Sequence, residues 1–166
     1  MNKKTLPVSS SSKLCFDCAG CAIVSGDTGV PGDVIYDGNI AILAADPEVP
    51  IPGFLVVTSK RHVRSLSELN NEECHEIIDI IFYAEKALKS LGITEVTLVQ
   101  EERSSHLHFW IFPNYDWMTK KYGKGITYLR DISEYAKETS MDKDKILSIV
   151  EKVRDYFNDC GIKTEA

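Results

Sequence analysis

The chain has 166 residues, 43% of them hydrophobic and 27% charged, with a formal net charge of −6. That length suits one domain able to bury a core without disulfides. The acidic balance excludes a nonspecific nucleic-acid binder, which needs an excess of Lys and Arg against phosphate. No apolar run approaches the ~20 residues of a membrane helix.

Residues 1–13 carry Lys3 and Lys4 with no apolar stretch after them and run into Ser9–Ser12, the composition of a disordered lead-in. Five cysteines, an odd number without an export signal, fit a reducing and hence cytoplasmic setting. Three of them, Cys15, Cys18 and Cys21, form a compact knuckle. Short strands are predicted at Val34–Tyr36, Ile40–Ala44 and Phe54–Ser59, the last after the Pro-rich link Asp46–Gly53. Asn70 and Glu73 form a capping-box pattern ahead of a helix reaching about Leu91, with Ile77, Ile78, Ile81, Phe82, Ala84 and Leu88 near helical period. Strands follow at Val96–Gln100 and His106–Phe112, joined by a short polar loop that makes them antiparallel. Asn114–Gly125 reads as an aromatic and basic loop, and helices are expected near Thr127–Glu138 and Asp142–Asn158. The fold class is therefore α+β: an antiparallel sheet of about five strands with a long helix packed on it, and a C-terminal helical extension.

The chemistry concentrates on His106-Leu-His-Phe-Trp-Ile-Phe-Pro113. Alternation along a strand puts His106, His108 and Trp110 on one face, about 6.5–7 Å apart, and Leu107, Phe109 and Ile111 on the other. A tetrahedral zinc needs two thiolates from one tight turn and two further nitrogen or sulfur ligands. The knuckle offers Cys15/Cys18 or Cys18/Cys21, and His62 with His106 completes a Cys2His2 set. The plainer alternative leaves the cysteines as spare thiols and His62 on the surface. His75 reads as a solvated helix residue.

With His106 on metal, His108 is a free imidazole able to attack phosphorus. Arg103, Ser104 and Ser105, with Gln100 at the preceding strand end, supply donors for phosphate oxygens. The alternative for His108 is a hydrogen-bonded core histidine. Arg61, Arg64, Lys120, Lys121 and Lys124 suit either an anion or a solvated surface.

In combination these segments resemble the histidine-triad (HIT) superfamily of nucleotide hydrolases and transferases. Cys18-Ala-Gly-Cys21-Ala-Ile23 is similar to its N-terminal signature and favours Cys18 and Cys21 over Cys15 as ligands. Asp46, Pro52-Gly53 and Leu55–His62 resemble the segment carrying a ribose-contacting acid and the third zinc ligand. His106–Pro113 resembles the triad strand. The likeness spans about Cys18 to Pro113, so residues 14–113 form the HIT-like core and residues 114–166 a loop and helical extension of the same domain.

The resemblance implies a homodimer formed through the helix and sheet edges, zinc on Cys18, Cys21, His62 and His106, and His108 as the nucleophile that forms a nucleotidyl-histidine. It implies a nucleotide or dinucleotide substrate: a diadenosine polyphosphate, a nucleoside phosphoramidate or a nucleotide sugar. Asp46 would contact the ribose, and Gln100, Ser104 and Ser105 the phosphate. The chain departs from the family in placing Trp110 in the substrate site where members have a third histidine or a glutamine. Indole has one N–H donor and no acceptor, so it cannot pass a proton to a leaving group. The departure leaves two expectations: an enzyme with altered leaving-group choice, or a nucleotide-binding regulatory protein with lost or weak catalysis. A smaller departure is Phe54, where many members carry histidine.

Overall fold

The computed structural model describes residues 18–139 and 142–162; the expected lead-in and Cys15 lie outside them. Five strands, β1 (Tyr36–Asp37), β2 (Ala41–Ala45), β3 (Leu55–Ser59), β4 (Val96–Val99) and β5 (His108–Pro113), form one antiparallel sheet in the order β1-β2-β3-β5-β4. Around it lie α1 (Ala19–Val24), α2 (Asn71–Ser90), α3 (Asp116–Tyr122), α4 (Leu129–Thr139) and α5 (Lys143–Asp159). The α+β architecture expected from the sequence is present. The triad strand starts at His108, two residues later than alternation predicts. Ahead of it the backbone N–H of Leu107 donates to the Val63 carbonyl at 2.6 Å, which ties the strand's root to the loop after β3.

The sheet is covered unequally. One face, with Leu43, Leu55, Val57, Phe109 and Ile111, packs against α2 and α5. The capping box holds at the start of α2: Asn70 accepts from the Glu73 N–H, and the Asn70 N–H donates to Glu73, both at 2.9 Å. Ile77, Ile81, Ala84 and Leu88 are buried, whereas Ile78 and Phe82 are 56% and 51% exposed. A rotation of ~100° per residue carries these two off the buried stripe. The C-terminal stripe Ile146, Ile149, Val150, Val153 and Phe157 is buried as its periodicity predicts.

The opposite face is only partly covered. Phe54, Val56 and Phe112 meet Met118 of α3 and Leu129, Ile132 and Ala136 of α4. The segment read as a loop at Asn114–Gly125 thus contains α3, whose seven residues are too few to reveal a helical period. The open part of this face, bearing His108 and Trp110, becomes the floor of the site.

Candidate functional site

The site has a closed part and an open part. In the closed part, Cys18 and Cys21 bracket the first turn of α1 and face the root of β5. Cys18 Sγ is 3.3 Å from His106 Nδ1, and Cys21 Sγ is 3.1 Å from His62 Nδ1 and 3.5 Å from His106 Nδ1. One donor atom from each of these four residues lies within 4.8 Å of the other three. A tetrahedral ion with ligand bonds of ~2.0–2.3 Å sets nitrogen and sulfur about 3.5 Å apart. Donor chemistry and spacing both fit zinc.

Each donor is oriented by its surroundings. His106 is 2% exposed, and its Nε2–H donates to the Ser59 carbonyl at 2.7 Å. That bond leaves Nδ1 unprotonated and aimed at the sulfurs. Burial pushes the imidazole pKa down, helped by His62 and His108 and opposed by the Ser59 contact, so the ring is held neutral. Burial opposes ionisation of Cys18, but hydrogen bonds from the Cys21 backbone and the Ser105 hydroxyl outweigh it and lower the thiol pKa.

Arg61 fastens the loop carrying His62 to the start of α2 by a two-pronged contact with Glu73, at 2.8 and 2.7 Å. The cationic group is therefore committed to structure rather than to an incoming anion. Gly20 is required by proximity: a Cβ there would lie 2.5 Å from Cγ of His106.

In the open part, His108 lies on β5 opposite Thr58 and lines a cleft of about 1020 Å³. Its Nδ1 is 2.9 Å from the His106 carbonyl oxygen, which can only accept, so Nδ1 carries the proton. Nε2 keeps its lone pair and makes no hydrogen bond among the described residues. Ser104 Oγ donates to the same carbonyl at 3.0 Å and lies 3.4 Å from His108 Nδ1.

Asp46, Ser104, Ser105 and Trp110 line this cleft with His108. The Ser105 hydroxyl is directed at Cys18 Sγ, 3.8 Å away, so this residue bridges the two parts. Gln100 directly follows β4 beside the cleft and does not line it; its side-chain Nε2 is buried without a hydrogen-bond partner among the described residues. Asp46 accepts the N–H groups of Glu48 and Val49 at 2.9 and 2.7 Å through one carboxylate oxygen. Burial raises its pKa against the effect of these bonds.

Trp110 pairs across the sheet with Val56 and Val99, and its ring stands edge-on to Phe54 at 5.5 Å and 6.1 Å from His108. The two positions at which the chain departs from the family pattern are thus in contact. Sequence reasoning missed Arg130, Ser133, Glu134 and Lys137 of α4, which line the same cleft. Helical periodicity separates a buried from an exposed side but does not say which exposed flank borders a cleft.

No protein-family model matches the chain. It is 25% identical to the adenosine 5′-monophosphoramidase of Schizosaccharomyces pombe over 117 residues, 67% of this chain and 82% of that protein. A zinc-bound histidine triad family protein from Mycobacterium smegmatis superposes with a TM-score of 0.63 at 15% identity, covering 89% of this chain and 97% of the other. A hypothetical histidine triad nucleotide-binding protein from Sulfolobus tokodaii gives 0.62 at 15% identity, covering 86% and 93%. These structures share the fold, and their class is that of histidine-triad proteins. The ordered cysteine and histidine motifs of this chain run parallel to that likeness in fold.

Proposed function

We propose that this protein is a zinc-containing nucleotide hydrolase or nucleotidyltransferase in which Nε2 of His108 attacks an α-phosphate. The observation that carries the proposal is the tether of His108: Nδ1–H is held by the His106 carbonyl at 2.9 Å, and Nε2 is left with its lone pair beside a cleft of nucleotide size. In the first step the lone pair forms an N–P bond, and the bond from phosphorus to the leaving group breaks with its electron pair departing. The charge that develops on the ring is stabilised at Nδ1–H by the carbonyl. In the second step oxygen of water or of an acceptor attacks the same phosphorus, the N–P bond breaks, and the oxygen's proton passes to solvent.

The phosphate is met by Ser104 and Ser105, which line the cleft, and by the Gln100 amide once its side chain, buried beside the cleft, turns into it. Asp46, with one carboxylate oxygen engaged by its own turn, offers the other to ribose hydroxyls. The substrate is a diadenosine polyphosphate, a nucleoside phosphoramidate or a nucleotide sugar. Cys18, Cys21, His62 and His106 hold the zinc. A four-ligand site of this kind is structural, fastening α1 and the His62 loop to the root of β5.

The working form is a homodimer, joined through the exposed Ile78 and Phe82 of α2 and Leu98 on the edge strand β4. Sedimentation of the wild type against a Phe82→Glu variant tests the dimer. Cys74 and Cys160 are free thiols, which suits a cytoplasmic setting, and no helix among the described residues is long and apolar enough to cross a membrane.

A second reading rests on Trp110, whose ring is held against Phe54 and carries no group that can shuttle a proton. It makes the chain a nucleotide-binding regulatory protein without turnover. Intact mass spectrometry after incubation with diadenosine and nucleotide-sugar substrates, kept mildly alkaline because the P–N bond is acid-labile, separates the two. A nucleotidyl adduct supports the enzyme. Bound nucleotide with neither adduct nor product supports the regulatory protein.

A further inference from the structure

The wall of the cleft built by α4 has no part in the chemistry proposed at His108, yet it is fixed in place. Leu129, Ile132 and Ala136 are buried against the sheet, which sets the helix's rotation. Arg130, Ser133, Glu134 and Lys137 recur at i, i+3, i+4 and i+7, so they form one stripe, and all four line the cleft. Lys137 Nζ reaches Glu48 Oε2 at 3.3 Å, and Glu48 belongs to the turn organised by Asp46. The Lys137 end of the α4 wall therefore abuts the turn that holds Asp46.

We infer that Arg130 and Glu134 on α4 form a base-reading subsite that recognises the hydrogen-bonding edge of the nucleobase. The inference rests on the proposed placing of phosphate at His108 and ribose at Asp46. Ile23, Val49, Val56 and Ile126 also line this cleft. Such apolar side chains grip any base by contact and do not distinguish one from another. A guanidinium offers donors and a carboxylate offers acceptors, which together match an edge bearing both kinds of group. Arg130 Nε donates to Glu134 Oε1 at 3.2 Å, and the two side chains are 88% and 61% exposed. So exposed a pair is weak and yields readily to a ligand.

The test is calorimetric binding of AMP, GMP, CMP, UMP and ribose 5-phosphate to the full chain, wild type and an Arg130→Ala, Glu134→Ala double variant. The exposure of both side chains lets them be removed without disturbing the core. In the wild type, the four nucleotide Kd values, each taken relative to ribose 5-phosphate, spread by at least about fivefold. In the double variant the spread collapses to within about twofold, the size of effect left by contact alone. Equal affinities in the wild type, or a spread that survives the double substitution, overturn the inference and leave the phosphate and ribose sites standing. Failure of all five probes to bind removes the functional proposal itself, and the inference with it.

Discussion

His106 and His108 stand two residues apart and serve opposite ends of one site. His106 is sealed in, with one ring nitrogen on the Ser59 carbonyl and the other facing two sulfurs. His108 is half-buried, with one nitrogen on a backbone carbonyl and the other unengaged among the described residues. The difference teaches that an imidazole's role follows from how many of its nitrogens the fold occupies. An imidazole engaged at both nitrogens is a strut; one engaged at a single nitrogen remains a reagent.

The comparison breaks most visibly if the strut is removed. His106→Ala deletes a buried donor from the four-residue cluster, and is expected to lower stability by at least about 3 kcal/mol and to abolish zinc retention. Urea denaturation and metal analysis measure both, and a metal content equal to wild type would show that the cluster does not depend on His106. On the open side, Trp110→His supplies a group that can protonate a departing amine. Hydrolysis of a nucleoside phosphoramidate is expected to rise about 10²-fold. An unchanged rate would free Trp110 of any part in leaving-group choice.

Gly20→Ala drives a methyl group to 2.5 Å from the His106 ring and is expected to cost about 2 kcal/mol, read as a lower urea midpoint. The smallest effect falls on the outer support. Arg61→Ala removes the partner of buried Glu73 and is expected to cost about 1 kcal/mol at neutral pH. The Arg61 hydrogen bond lowers the Glu73 pKa from 4.5, against opposing burial. Its contribution is therefore present above that value and lost as pH falls through the depressed folded value. The wild type and Arg61→Ala stability curves should converge in acid. Parallel curves would show that the pair carries no pH-dependent stability.

Much of the closed part was legible in the sequence, because metal-ligand chemistry is written in residue type and spacing. Cys18, Cys21, His62 and His106 come together as the motifs imply, although they arise from three separate segments. The strands and α2 were equally legible, since alternation and the Asn70 cap are local signals. The open part was less so. Nothing in the order of residues says that Ser105 turns toward Cys18, that Arg61 is held by Glu73, or that α4 borders the cleft. Those facts depend on how distant segments pack. The contact between Phe54 and Trp110 is of the same kind: each departure was visible alone, and only the fold puts one ring against the other.

The central claim, that His106 holds and His108 reacts, is tested most directly by His108→Ala. Turnover of a nucleoside phosphoanhydride should fall at least about 10³-fold, because the group that forms the covalent intermediate is gone. Zinc content and melting temperature should match wild type, because the closed cluster is untouched. A variant with undiminished turnover, or one that loses its metal together with its activity, would contradict that division of labour.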